Sequence, residues 1–108
     1  GLVRNTQYYL ATRQFATAQP QLLHALLEEL DSVDRWSRDN VPEAAKLLSP
    51  LVGLDEPTLE LALRRTSYGV QPITNGTLQY QQQIADTFAD LKLIPKKFAV
   101  SDARWNLT

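Results

Sequence analysis

The sequence predicts a mainly α protein, about five helices with one or two short strands, that is a piece of a larger α/β architecture. Three observations carry that expectation. Leu22, Leu23, Leu26, Leu27, Leu30 and Val33 recur at steps of three and four, the spacing of a helix with one apolar stripe. Proline paired with a capping residue punctuates the chain at Gln19-Pro20, Asn40-Val41-Pro42 and Asp55-Glu56-Pro57. The aromatic stretch Gln7 to Thr12 reads as a strand, yet little in the chain can pair with it, which points to a sheet left behind elsewhere in sequence.

Each element follows from its residues. Gln14 begins helical spacing around Phe15, and this short segment ends near Gln19-Pro20, because proline disfavours helix in the residue before it. A long helix then runs from Pro20 to about Arg38, with Arg35 and Arg38 near the negative end of its dipole. Asn40 caps a third helix containing Ala44, Ala45, Leu47 and Leu48, which Ser49-Pro50 is expected to close. Gly53 breaks the next turn. Asp55 caps a fourth helix, with Leu59, Ala62 and Leu63 inward, ending near Ser67. Tyr68 to Ile73 is extended or looped and is the second candidate strand. Thr74-Asn75-Gly76 caps a fifth helix through about Leu91, with Leu78, Ile84, Ala85, Phe88 and Leu91 on one side. Pro95-Lys96-Lys97 reads as a connector, and Ser101 to Trp105 as a final turn with Trp105 packing back.

Composition narrows the chemistry. The 108 residues hold 11 Lys+Arg against 12 Asp+Glu, a balance without the basic footprint that nucleic acid or anionic lipid would attract. With no Cys there is no disulfide framework, thiolate metal site or cysteine nucleophile. No apolar run approaches the ~18 residues of a membrane span, and no charged-then-apolar leader opens the chain. It reads as soluble, and the start at Gly1 with no Met reads as a processed chain or one excised from something longer.

No catalytic constellation is visible, so the expectation is a non-enzyme with no cofactor and no metal. His24 and Glu28, one helical turn apart, read as a solvated pair rather than as ligands. Arg64-Arg65 followed by Thr66, Ser67 and Tyr68 is a candidate anion-binding corner, although arginines in a last turn are favoured by the helix dipole alone. Glu28-Glu29 and Asp31 with Asp34 read as outward charge on a leucine-rich helix.

The order of segments carries more information than any one of them. The stretches are 5–13 (NTQYYLATR), 42–48 (PEAAKLL), Gly53-Leu54 with Pro57, 68–72 (YGVQP), 81–88 (QQQIADTF), 93–97 (LIPKK) and 101–105 (SDARW). In this order the whole chain resembles the C-terminal third of the aliphatic sulfonate-binding proteins of ABC transporters, of the sulfonate, taurine and nitrate type. The resemblance implies a fragment of a two-lobed type II periplasmic-binding-protein fold, with residues 1–108 as one truncated helical unit. It further implies a small sulfonate-type anion as ligand in the full-length, exported protein, an ABC permease as partner, no nucleic acid, and at most a peripheral place at the membrane. A homodimer of the fragment is a further expectation. Arg65, before the Tyr-Gly-Val-Gln-Pro stretch, and Tyr8 are the positions that the resemblance places on the rim of the cleft. Thr66-Ser67, where the family often has Pro or an aromatic, and Val41 before Pro42, where Asn is common, depart from its pattern. The alternative is a free-standing helical interaction module built on the leucine stripe.

Overall fold

The structure is a computed structural model and describes Arg4 and residues 6–106. Gly1 and Asn5, which carried the reading of the chain start and the first residue of the resemblance, lie outside the described residues. The described chain groups into two compact units, one running to Val70 and the other beginning at Gln71.

In the first unit, α1 (Arg13–Ala18) opens where the Thr12 hydroxyl accepts the Phe15 N–H at 3.1 Å. Gln19 then serves two helices, donating its N–H to Phe15 O and accepting the Leu23 N–H of α2 (Pro20–Asp39), whose first residue is the expected proline. Asn40 is a second shared joint. Its carbonyl accepts the Ala44 N–H of α3 (Val41–Val52), while its side-chain amide turns back to donate to Trp36 O at 2.9 Å. α4 (Glu56–Arg64) starts on the Asp55 carboxylate, which accepts the Thr58 N–H at 2.7 Å. The densest packing is between α3 and α4, where Val41, Ala44, Ala45 and Leu59 are buried.

Two helix ends differ from expectation. Pro50 does not close α3, because losing one N–H so near the end removes a single ladder bond. The helix runs on to Gly53, whose left-handed φ of 77° ends it as its N–H bonds Ser49 O. α4 stops at Arg64 rather than near Ser67, since Thr66 Oγ1 donates to Ala62 O and Tyr68 OH to Leu63 O, tying off carbonyls that a further turn would need.

The second unit is α5 (Asn75–Asp90) with the 3-10 turn Val100–Ala103 against it. Thr74 caps α5 by accepting the Thr77 N–H. Gln82 joins the two elements: its amide N–H donates to Phe98 O at 2.9 Å and its carbonyl accepts the Val100 N–H at 2.8 Å.

Neither candidate strand forms among the described residues. Residues 7–12 form no regular secondary structure and are exposed, with Leu10 at 91%, because a strand requires a ladder partner that the described chain does not supply. In the segment 68–70 the amides that a neighbouring strand would have used are taken instead by α2: Gly69 N–H by the Asp34 carboxylate and Val70 N–H by Asp31 Oδ1 at 3.0 Å.

Candidate functional site

The ends of α2 and α4 and the chain leaving α4 enclose an open hollow of ≈ 560 Å³, lined by Arg38, Val41, Leu63, Arg64, Thr66 and Tyr68. Val41 and Leu63 supply an apolar floor, and the other four supply guanidinium and hydroxyl groups. Those donors are already engaged. Arg38 grips Asp39 through Nε at 2.8 Å and Nη2 at 3.1 Å, and the hydrogen bond raises the guanidinium further above its ordinary value. Arg64 reaches Glu60 at 3.3 Å, while Thr66 and Tyr68 spend their protons on backbone carbonyls. Burial first, then the charge of Asp34, pushes the Tyr68 hydroxyl up, so it stays protonated as a donor.

The candidate anion corner is thus divided. Arg64, Thr66 and Tyr68 face the hollow, whereas Arg65 does not line it. Arg65 is the C-cap of α4, its backbone N–H bonded within the last turn and its side chain exposed. Tyr8 lies in the extended opening segment, 36% exposed, and is also absent from the lining. The hollow opens at the C-terminal ends of α2 and α4 and beside Val41, the first residue of α3, so the negative ends of two helix dipoles and the positive end of a third meet there, and the guanidinium charge first offsets the field of the first two.

His24 and Glu28 meet at 3.4 Å on the solvated face of α2, both side chains more than half exposed, as the spacing predicts. Among the described residues no group of three or more His, Cys, Asp or Glu is arranged to hold a metal, and no helix is long and apolar enough to cross a membrane. The sequence reading missed Arg38 as a neighbour of Arg64, and it assigned Asp31 and Asp34 to solvent. Their spacing of three placed them on one face beside the Leu23, Leu27 and Leu30 side of the helix, which was the available signal.

The fold matches part of a type II periplasmic-binding architecture, the class of two-lobed solute receptors. The particular likeness is to the periplasmic aliphatic sulphonate binding protein SsuA from Escherichia coli, with a TM-score of 0.84 at 26% identity over 91% of this chain and 32% of that one. The alkanesulfonate-binding protein SsuA from Xanthomonas axonopodis pv. citri, solved bound to MOPS, matches with a TM-score of 0.78 at 28% identity, over 88% of this chain and 33% of that one. Curated relatives agree: proteins assigned as aliphatic sulfonates-binding in Escherichia coli (strain K12) and Bacillus subtilis (strain 168) are 28% and 27% identical over 94% and 88% of this chain. No family model matches. The resemblance read from the sequence stands over nearly the whole chain, which spans about a third of the length of the curated relatives it matches.

Proposed function

We propose that this chain is the C-terminal portion of a periplasmic receptor that captures aliphatic sulfonates or related small anions and delivers them to an ABC importer. The observation that carries the reading is the agreement of both sequence and fold, over about nine-tenths of the chain, with sulfonate-binding proteins. The relatives are binding proteins, which supports a receptor role without catalysis. Within that reading Arg65 and Tyr8 form part of the cleft rim, Arg65 as an exposed guanidinium able to fork onto a sulfonate's oxygens. A homodimer of the chain draws no support from the relatives.

The test is calorimetric titration of the complete gene product with ethanesulfonate, taurine and nitrate. Binding of at least one is expected, and loss of the Arg65 charge by Arg65→Ala is expected to weaken it roughly 10- to 100-fold, the worth of one charged hydrogen bond. The 108-residue chain alone is expected to bind weakly or not at all. Silence of the complete product toward all three anions would remove the receptor reading.

A second reading has one observation in its favour. Leu22, Leu26, Val33 and Trp36 line the outer face of α2 and are 42–58% exposed, a surface suited to a partner helix in a free-standing interaction module. An open reading frame that begins at this chain would favour it. A frame that runs on for a domain-sized stretch upstream favours the receptor.

A further inference from the structure

Most acidic side chains on an amphipathic helix point to water, but two on α2 bind backbone amides 35 and 39 residues away. The Asp34 carboxylate accepts the N–H of Gly69, and Asp31 Oδ1 accepts the N–H of Val70 at 3.0 Å, the latter bond partly buried. Asp31 is itself held by Arg35 through its second oxygen, Oδ2, and its side chain is only 21% exposed. These are successive amides of one segment, each with its own acceptor.

The segment is also tied to the end of α4. Upstream, Thr66 Oγ1 and Tyr68 OH are spent on the end of α4. Gly69 has a φ of 108°, a conformation that side-chain-bearing residues rarely adopt, so the backbone turns sharply where Asp34 catches it. Beyond Val70 the chain passes into the second compact unit.

We propose that Asp31 and Asp34 are positioning residues whose carboxylates clip the Gly69 and Val70 amides to α2, holding the rim from Arg65 to Val70 in one conformation without touching the anion themselves. The part concerning the anion rests on the receptor reading; the clip does not. A carboxylate is suited to the role because it only accepts, and bonds from backbone N–H to an ionised acceptor are stronger than to a neutral one. Two negative charges behind the rim also mean that the rim's geometry is held by groups that would repel a sulfonate, so any gain from them in anion binding comes through position.

Asparagine and alanine separate these roles, since Asn keeps an oxygen acceptor and removes the charge, whereas Ala removes both. Amide hydrogen exchange of the complete gene product is the first readout. In Asp34→Ala the Gly69 amide is expected to exchange at least tenfold faster, and in Asp31→Ala the Val70 amide, with α3 amides unchanged. Asp31→Asn and Asp34→Asn are expected to stay within about threefold of wild type at those amides. Unprotected Gly69 and Val70 amides in the wild type, or exchange unaltered by both alanine variants, would overturn the clip. In the complete gene product, ethanesulfonate affinity is expected to fall at least fivefold in the double alanine variant and to be retained in the double asparagine variant. Equal loss in both would show that charge, not position, is what the acids contribute, and would overturn the positioning role. If the exchange results hold but the wild-type product binds no ethanesulfonate, the receptor reading falls and the clip stands.

Discussion

Lys92 is the residue where local conformation and side chain disagree. It has a φ of 58°, and it sits just past α5 in a turn where Leu93 N–H bonds Phe88 O and Lys92 N–H bonds Ala89 O. This is the paired arrangement in which glycine is the usual occupant, because a Cβ in the left-handed region costs about 1 kcal/mol. Lys92→Gly is therefore expected to stabilise the second unit by roughly 0.5 kcal/mol, the strain relieved less the extra freedom glycine gives the unfolded chain. Thermal unfolding followed by circular dichroism checks it, and a lower midpoint would refute the strain argument. Gln82 is the opposite case, a polar side chain that satisfies two backbone groups at once. Gln82→Ala leaves the partly buried Val100 N–H without its acceptor and should destabilise the second unit by about 1–3 kcal/mol. The 3-10 turn amides would then exchange faster while those of α3 do not.

At the scale of elements, α2 carries two apolar faces rather than the single stripe its leucines suggest. Leu23, Leu27 and Leu30 are half-buried, and the face about a quarter-turn away holds Leu22, Leu26, Val33 and Trp36 in the open. Positions 22, 26, 29, 33 and 36 follow the alternating four-three spacing of a coiled-coil seam, with Glu29 in the middle. In a pair of like copies that carboxylate would meet its equivalent or a leucine, so it works against self-pairing. Glu29→Leu completes the seam and is expected to convert the chain to dimers at micromolar concentration by sedimentation. A variant that stays monomeric would show that the face is too short or too curved to serve as a seam. α4 offers a pH test. Hydrogen bonds from Thr58, side chain first and then backbone, hold the Asp55 carboxyl below its usual 3.8. A folded-state value below the unfolded one stabilises above the unfolded value and is lost as pH falls through the folded one. Wild type should therefore exceed Asp55→Ala in helix stability at pH 7, and the gap should begin to shrink only below pH 3.8, as the pH approaches the lowered value; a gap already lost at pH 5 would contradict the cap. These local rules are also what made the fold legible. The start of α2 at Pro20, the caps Asp55 and Thr74 and the stop at Gly53 are written in a few adjacent residues. The failed strands are not, since pairing depends on a partner that local sequence does not specify, and residues 7–12 look the same with or without it. Of the candidate site, Arg64, Thr66 and Tyr68 were legible as neighbours in sequence. Arg38 and the Asp31–Asp34 clip join them only through the packing of helices, which spacing alone does not specify.

For the molecule as a whole the decisive quantity is surface. The accessible area is 8982 Å² for a 12.2 kDa chain. Among the described residues Leu10, Leu47, Leu51, Leu91 and Leu93 are all more than 60% exposed. The buried set among the described residues is small, Ala16, Val41, Ala44, Ala45, Leu59 and Ala85, with Leu59 its largest member. Helix stability in water depends mainly on burying an amphipathic face, so such a core supports these helices poorly by itself. If the open faces are those that a receptor's remaining two-thirds would cover, the isolated chain should bind the hydrophobic dye ANS in native buffer at pH 7. Its urea unfolding should also be shallow, with a slope at or below ~1 kcal/mol per molar, because little surface remains to be exposed. The complete gene product should bind little dye per molecule and unfold steeply. The comparison is informative in both directions. An isolated chain that ignores the dye and unfolds as steeply as a compact domain of its size has buried those leucines by its own means, and a covering lobe is then not needed to bury them even though the sequence likeness remains.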